Sequence, residues 1–284
     1  MAECTENFFI HNKRVKDCSE FNDQQVLTGK SFYEVIRLID GVFLFLEDHL
    51  ERLKNSFLKS NLNYPVSNDF IGEKLKLLKL ENELAEGNVK IVINFTNNAQ
   101  TADFYTYFIS HVYPSVEQYE KGIRLMLYNT ERKNPNVKQI NLELNQIRTR
   151  ELAINPVYEL LLVDKLDYVT EASKANVFMV KGEKVFTPPA DEVLPGITRN
   201  YVLELCAEMG IEIIEKRIPA KMLPTFDAAF ISGTSPKILP VNTIDNNKFM
   251  VNNPVVRKLM NAYDFLVNKY IKEHKTNKNT RPDR

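Results

Sequence analysis

The stretch from Tyr33 to Leu53, YEVIRLIDGVFLFLEDHLERL, constrains the fold more than any other part of the chain. Two apolar runs flank Asp40-Gly41. An Asp-Gly pair in that setting predicts a two-residue hairpin turn, because both central residues of such a turn take positive φ. The helix predicted after it opens with Glu47 and Asp48, which suit the positive end of its dipole. That helix carries Arg52 one turn after His49. A hairpin feeding an amphipathic helix with an arginine on it is the first fixed point of the reading.

The chain has 284 residues, enough for one large or two ordinary domains with ample core. Lys plus Arg and Asp plus Glu both total 37, so no net field points to a polyanion, and a nucleic-acid partner is not expected. No stretch approaches the ~20 apolar residues of a membrane span. The start, MAECTENFFI, lacks the basic and apolar regions of a signal peptide. Cys4, Cys18 and Cys206 are odd in number and widely spaced, which predicts reduced thiols in a cytoplasm rather than a disulfide framework. The 4 histidines share no metal-ligand spacing, so no metal is expected.

Strands and helices alternate along the chain. FFIHNKRV, YEVIRLI and VFLFL read as strands, DHLERLKNSFLKS and FIGEKLKLLKLENEL as helices, and NVKIVINF and FYTYFISHVY as strands joined by the polar loop TNNAQTAD. This predicts an N-terminal α/β domain over residues 1–115, an antiparallel sheet with helices on one side. PSVEQYEKG starts with proline and lacks periodicity, and 116–122 is read as an interdomain linker. A second domain follows over 123–272. It has strands at IRLMLYN, YELLLVD, NVFMV, KVFTP, IEIIEKRI, DAAFISG and ILPV. Its helices lie within NLELNQIRTRELAI, at NYVLELCAEMG (with Gly210 as C-cap) and near VVRKLMNAYDFLVNKYI. The polar residues 273–284 read as a frayed tail.

The phosphate-loop patterns and the G-x-S-x-G elbow are absent. What remains is a scatter of small elements. Gly196-Ile197-Thr198 precedes a helix, where unpaired amides and the dipole favour an anion. Gly233-Thr234-Ser235 follows a strand. Each also reads as a plain helix start or turn. Glu171 ends a strand and is equally a solvated surface carboxylate. Lys138 stands just before a helix, one lysine among many.

Their order and spacing carry the meaning. The YEVIR…DG…EDHLERL, VKQIN, TEASKANVF, LPGITR and GTSPKILPV blocks, spread from about Gly29 to Val241, resemble the class IV (fold type IV) pyridoxal-phosphate enzymes. That family includes branched-chain and D-amino acid aminotransferases and aminodeoxychorismate lyase. The resemblance implies a two-domain α/β (α+β) fold with a smaller N-terminal and a larger C-terminal domain. It also implies pyridoxal 5'-phosphate in the cleft and a homodimer whose neighbouring subunit completes the substrate pocket.

By the same resemblance Lys138 is the catalytic lysine that bonds the cofactor aldehyde, and Glu171 pairs with the pyridine nitrogen. Arg52, Ile197, Thr198 and Thr234 take the phosphate. Tyr33, Val35, His111 and Ser235 fall on the substrate side. The chemistry asks for these types: a carboxylate keeps the ring nitrogen protonated, a lysine acts as nucleophile and then as base, and an arginine with helix-terminal amides anchors a dianion.

The expected reaction is transfer of an amino group between an amino acid and a 2-oxo acid. The alternative is an aminodeoxychorismate lyase releasing pyruvate and 4-aminobenzoate, and a non-enzymatic cofactor-binding protein is the third reading. Ile109 stands where the D-amino acid branch has a carboxylate-binding arginine, and TNNAQTAD lacks the Arg-Gly pair of relatives. His111 is therefore either a substrate group or an ordinary strand histidine. Val35 stands where the lyase branch often has a threonine. Substrate identity and handedness are not legible.

Overall fold

The computed structural model describes residues 3–96 and 102–275. They form two compact units, Met1–Val112 with Val137–Ile140 and Leu266–Arg284, and Tyr113–Asn136 with Asn141–Phe265.

The first unit is built on a six-stranded, wholly antiparallel sheet. Its strands run in the order Arg14–Asp17, Phe8–His11, Asp103–Ile109, Gly87–Phe95, Lys30–Ile39, Val42–Phe43. Asp40 and Gly41 turn the hairpin with φ of 52° and 76°, as the dipeptide predicts. Alternation then sorts the side chains. Phe32, Ile36 and Leu38 join Leu50, Leu53, Phe57, Ile71, Leu75 and Leu78 in one core, so the helices Leu46–Leu58 and Asn68–Glu81 cover that face. The opposite face packs Val92, Tyr105 and Tyr107 against Cys4, Phe9, Phe21 and Val26. Every residue of Gly87–Phe95 is buried, because that strand is covered on both faces. The apolar strand Asp103–Ile109 divides its side chains between these two cores.

The second unit has a mixed sheet. Its order is Ile213–Glu215, Lys184–Thr187, Asn176–Lys181, Ala228–Gly233, Lys237–Ile244, Ile123–Asn129, Glu159–Val163, Tyr168–Ala172, Ile218–Pro219. The segment IEIIEKRI, expected as one strand, is two: Ile213–Glu215 lies at one end of this path and Ile218–Pro219 at the other. Three residue steps span on the order of 10 Å, so the sheet curls until its ends nearly meet. This unit also holds the helices Leu142–Ile154, Ile197–Glu208 and, through Phe265, most of Pro254–Lys275.

Four further expectations need correction. FFIHNKRV is a hairpin of two strands turned at Asn12, whose φ is 55°. VFLFL is strand only at Val42–Phe43, because Phe45 takes a φ of 52° and the helix begins at Leu46. The segment 116–122 is the helix Val116–Lys121, closed by a Ser115–Gln118 capping box, and it lies in the second unit. Cys4 and Cys18 are joined as a disulfide with Cα atoms 6.0 Å apart, against the expectation of reduced thiols. The first hairpin returns the chain, with the Cys18 amide donating to Asn7 at 2.8 Å, and spacing alone does not show this. Most of the expected TNNAQTAD loop, residues 97–101, and most of the expected tail, 276–284, lie outside the described residues. No helix among the described residues is long and apolar enough to cross a membrane.

Candidate active site

Lys138 belongs to the first unit, although it follows the Ile123–Asn129 strand of the second. Its segment runs along the free edge of Lys30–Ile39. Tyr33 donates its amide to the Lys138 carbonyl at 3.0 Å, Ile140 donates to Ser31 at 2.9 Å, and Lys138 donates its own amide to Ser56 Oγ at 3.2 Å. Three hydrogen bonds thus fix the backbone, and the Lys138 ammonium lies 4.8 Å from the centroid of the Tyr33 ring.

Behind this segment sits a buried charge cluster. Glu34 falls on the inward, apolar face of its strand and is 0% exposed. Arg52 donates to both of its oxygens, from Nε at 2.8 Å and Nη2 at 2.6 Å, and His49 Nδ1 lies 2.8 Å from Oε2. Burial alone would raise the Glu34 pKa, but Arg52 and His49 outweigh it and hold the carboxyl at about 2. Burial lowers the His49 pKa below its ordinary value, against the pull of Glu34. His49, Arg52 and Ser56 occupy one buried stripe of the helix, and Ser56 Oγ donates to the Arg52 carbonyl at 3.0 Å. Arg52 and Lys138 are therefore joined through Ser56.

Tyr33 and Val35 alternate onto the face opposite Glu34. His111 lies exposed beyond the end of Asp103–Ile109, beside Gly87, whereas Tyr33 pairs with Val92. Five residues of strand, roughly 17 Å, separate those positions, so one copy of the chain does not bring His111 to Tyr33.

The second unit gathers the remaining residues around the loop before Ile197–Glu208. Glu171 is 2% exposed, with Arg132 Nε at 2.9 Å from Oε1 as an ion pair whose N–H is not aligned on the contact. The Leu194 amide donates to Glu171 Oε2 at 3.2 Å, and the Leu194 carbonyl accepts from Asn176 Nδ2 at 2.9 Å. Gly196 is the helix N-cap and has no side chain to consume the first amides, which leaves them for an anion. A Cβ there would stand 2.0 Å from Asn176 Oδ1, so any other residue would have to push that buried amide aside. Ile197 and Thr198 are buried in the first turn. Asn176 pairs with Ser232, two residues before Thr234, and Thr234 and Ser235 are half-buried in the turn that follows. Among the described residues no cluster of three or more His, Cys, Asp or Glu side chains is placed for a metal ion.

Glu34 and Arg132 are not among the site residues that the motif blocks indicate. A charged residue on the inward face of an alternating strand was the available signal for Glu34. Arg132 lies in an irregular stretch, and nothing in its spacing announces Glu171.

A family model described as "Amino-transferase class IV" matches residues 31–244. The chain is 27% identical to a branched-chain-amino-acid aminotransferase of Pseudomonas aeruginosa, covering 87% of each protein. It is 29% identical to the aminodeoxychorismate lyase of Bacillus subtilis, covering 78% of this chain and 80% of that one. A crystal structure of a branched-chain amino acid aminotransferase from Thermobaculum terrenum, in its PLP-form, superposes with a TM-score of 0.80. Its identity is 22%, with 96% of this chain and 97% of that chain covered, and it establishes a shared fold.

Proposed function

The chain belongs to the class IV aminotransferases, and we propose that it moves an amino group between an amino acid and a 2-oxo acid with pyridoxal 5'-phosphate as cofactor. The observation that carries this reading is Lys138, a primary amine on a segment pinned by three hydrogen bonds, with its ammonium against Tyr33. The donor set fits the cofactor: one fixed amine, one buried carboxylate with its own arginine, and a glycine-capped helix start with free first-turn amides. When bound, the cofactor supplies an aldehyde and an electron-withdrawing ring, which make the substrate Cα–H acidic.

Lys138 would hold the cofactor by its aldehyde and, once the substrate amine had displaced it as a free amine, would be the base for the substrate Cα proton. Glu171 would keep the proton of the ring nitrogen in place, and Arg132 supplies the charge that a buried carboxylate requires. The Ile197 and Thr198 amides, the hydroxyls of Thr198 and Thr234, and Arg52 would bind the phosphate, with Arg52 held by Glu34. Tyr33, Val35 and Ser235 would border the substrate, and His111 would join them from a second copy of the chain.

A cofactor-loaded preparation mixed singly with D-alanine, L-glutamate and L-leucine tests this. Release of the matching 2-oxo acid from any one supports the transaminase and names its substrate hand. Silence with all three, followed by pyruvate release from aminodeoxychorismate, transfers the assignment to the lyase. That alternative is kept because a lyase stands among the relatives.

We further propose a cytoplasmic homodimer, to be checked by light scattering and by thiol titration of freshly extracted protein.

A further inference from the structure

Thr198 sits in the first turn of its helix with its side chain 3% exposed. A threonine in a helix can spend its hydroxyl proton on the carbonyl four residues back. For Thr198 that position is Leu194, which precedes the helix and its Gly196 cap, so the usual back-bond is not available; the Leu194 carbonyl accepts from Asn176 Nδ2 at 2.9 Å. The Thr198 hydroxyl meets instead the hydroxyl of Tyr263, 3.3 Å away, on the helix Pro254–Lys275. Tyr263 is itself 2% exposed. Either oxygen of such a pair can donate, and only one arrangement leaves the threonine proton for a third group.

The tyrosine has a counterpart. Tyr119 donates its hydroxyl to the Pro236 carbonyl at 3.1 Å, just after the turn that carries Thr234. Tyr119 and Tyr263 line one cavity of about 240 Å³, together with Ile238, Met260 and Asp264. Both anion-binding elements of this unit therefore rest on a tyrosine from the same wall.

We propose that Tyr263 is a positioning residue for cofactor phosphate. Its O–H donates to Thr198 Oγ1, and the Thr198 proton is thereby directed to the phosphate beside the first-turn amides. This rests on the reading of Thr198 as a phosphate contact.

The test is a double-mutant cycle on the holoprotein with Tyr263→Phe, Thr198→Val and the pair. Pyridoxal phosphate affinity is measured by equilibrium dialysis, the bound phosphate is followed by its phosphorus NMR resonance, and folding is checked by circular dichroism. A bond as long as this one predicts a loss of about two- to five-fold for Tyr263→Phe. Thr198→Val gives up a hydrogen bond to a charged group and loses roughly ten- to a hundred-fold. In the Thr198→Val background Tyr263→Phe has no further effect, and the phosphorus resonance moves in both single variants. Equal losses from Tyr263→Phe in both backgrounds would mean ordinary packing and overturn the proposal. So would an unchanged affinity in Tyr263→Phe where Thr198→Val loses the cofactor, with the Thr198 assignment left standing. Unchanged affinity and resonance in Thr198→Val would remove Thr198 from the phosphate site, and this inference with it.

Discussion

The two units handle charge differently around their candidate residues. In the first, a full negative charge on Glu34 is enclosed by Arg52 and His49 inside the core, and Lys138 is built over that cluster through Ser56. In the second, beside the buried Glu171–Arg132 pair, the phosphate elements are dipolar: the helix start at Gly196 and the turn at Thr234 offer partial charges, from amides and hydroxyls backed by tyrosines. Full charges in a low-dielectric core attract strongly, but losing one partner strands the other. Dipoles are weaker and do not titrate. The Glu34 cluster therefore ties the site to the stability of its unit, while the dipolar phosphate elements can be altered at lower cost to folding.

The largest expected effect is on chemistry. Lys138→Ala should lower turnover by about a thousand-fold or more, since it removes both nucleophile and base. Borohydride reduction followed by peptide mapping should place the cofactor on Lys138 in the wild type. Label on another lysine would move the catalytic assignment.

Next comes the buried cluster. Glu34→Gln should destabilise the first unit by about 3–5 kcal/mol, because Arg52 is left buried without its counter-charge. Hydrogen exchange, resolved along the chain, should show the loss in residues 30–95 before it appears in the second unit. A loss spread evenly over both units would break the contrast.

Thr198→Val is the matching change in the second unit. It should cost about 1–2 kcal/mol of stability, well below Glu34→Gln, while weakening cofactor binding as described above. Denaturant titration of the cofactor-free protein decides this, and a loss as large as that of Glu34→Gln would erase the distinction.

Acidification gives the smallest and most graded effect. Burial lowers His49 below its ordinary 6.5, so the unfolded chain binds the proton more readily and stability falls as pH drops below that value. Glu34 follows, lowered from 4.5 to about 2; its contribution is full above 4.5 and is lost as pH falls towards 2. Stability measured from pH 7 downwards should decline mildly at first and then more steeply. In Glu34→Gln the second phase should shrink. A wild-type protein that gains stability on acidification would contradict both assignments.

Much of this was legible locally. Asp40-Gly41 takes the two positive φ values that its hairpin turn requires. The stripe of His49, Arg52 and Ser56 follows from helical spacing, and the acidic first turn marks where the helix starts. Glu34 was legible in principle, as the one charge among inward-facing Phe32, Ile36 and Leu38. The second unit was harder to read, because a strand such as Glu159–Val163 is buried along its whole length and shows no alternation.

The chain by itself determined the elements whose causes lie within a few residues: turn chemistry, the apolar stripe, the glycine before the helix, and the order of the motif blocks. Only the tertiary structure decided which of them meet. Residues 137–140 return to the edge of Lys30–Ile39, Cys4 reaches Cys18, and Tyr263 reaches Thr198 across 65 residues of chain. Local propensity acts over a turn or two of backbone, whereas such contacts depend on how whole sheets pair and pack.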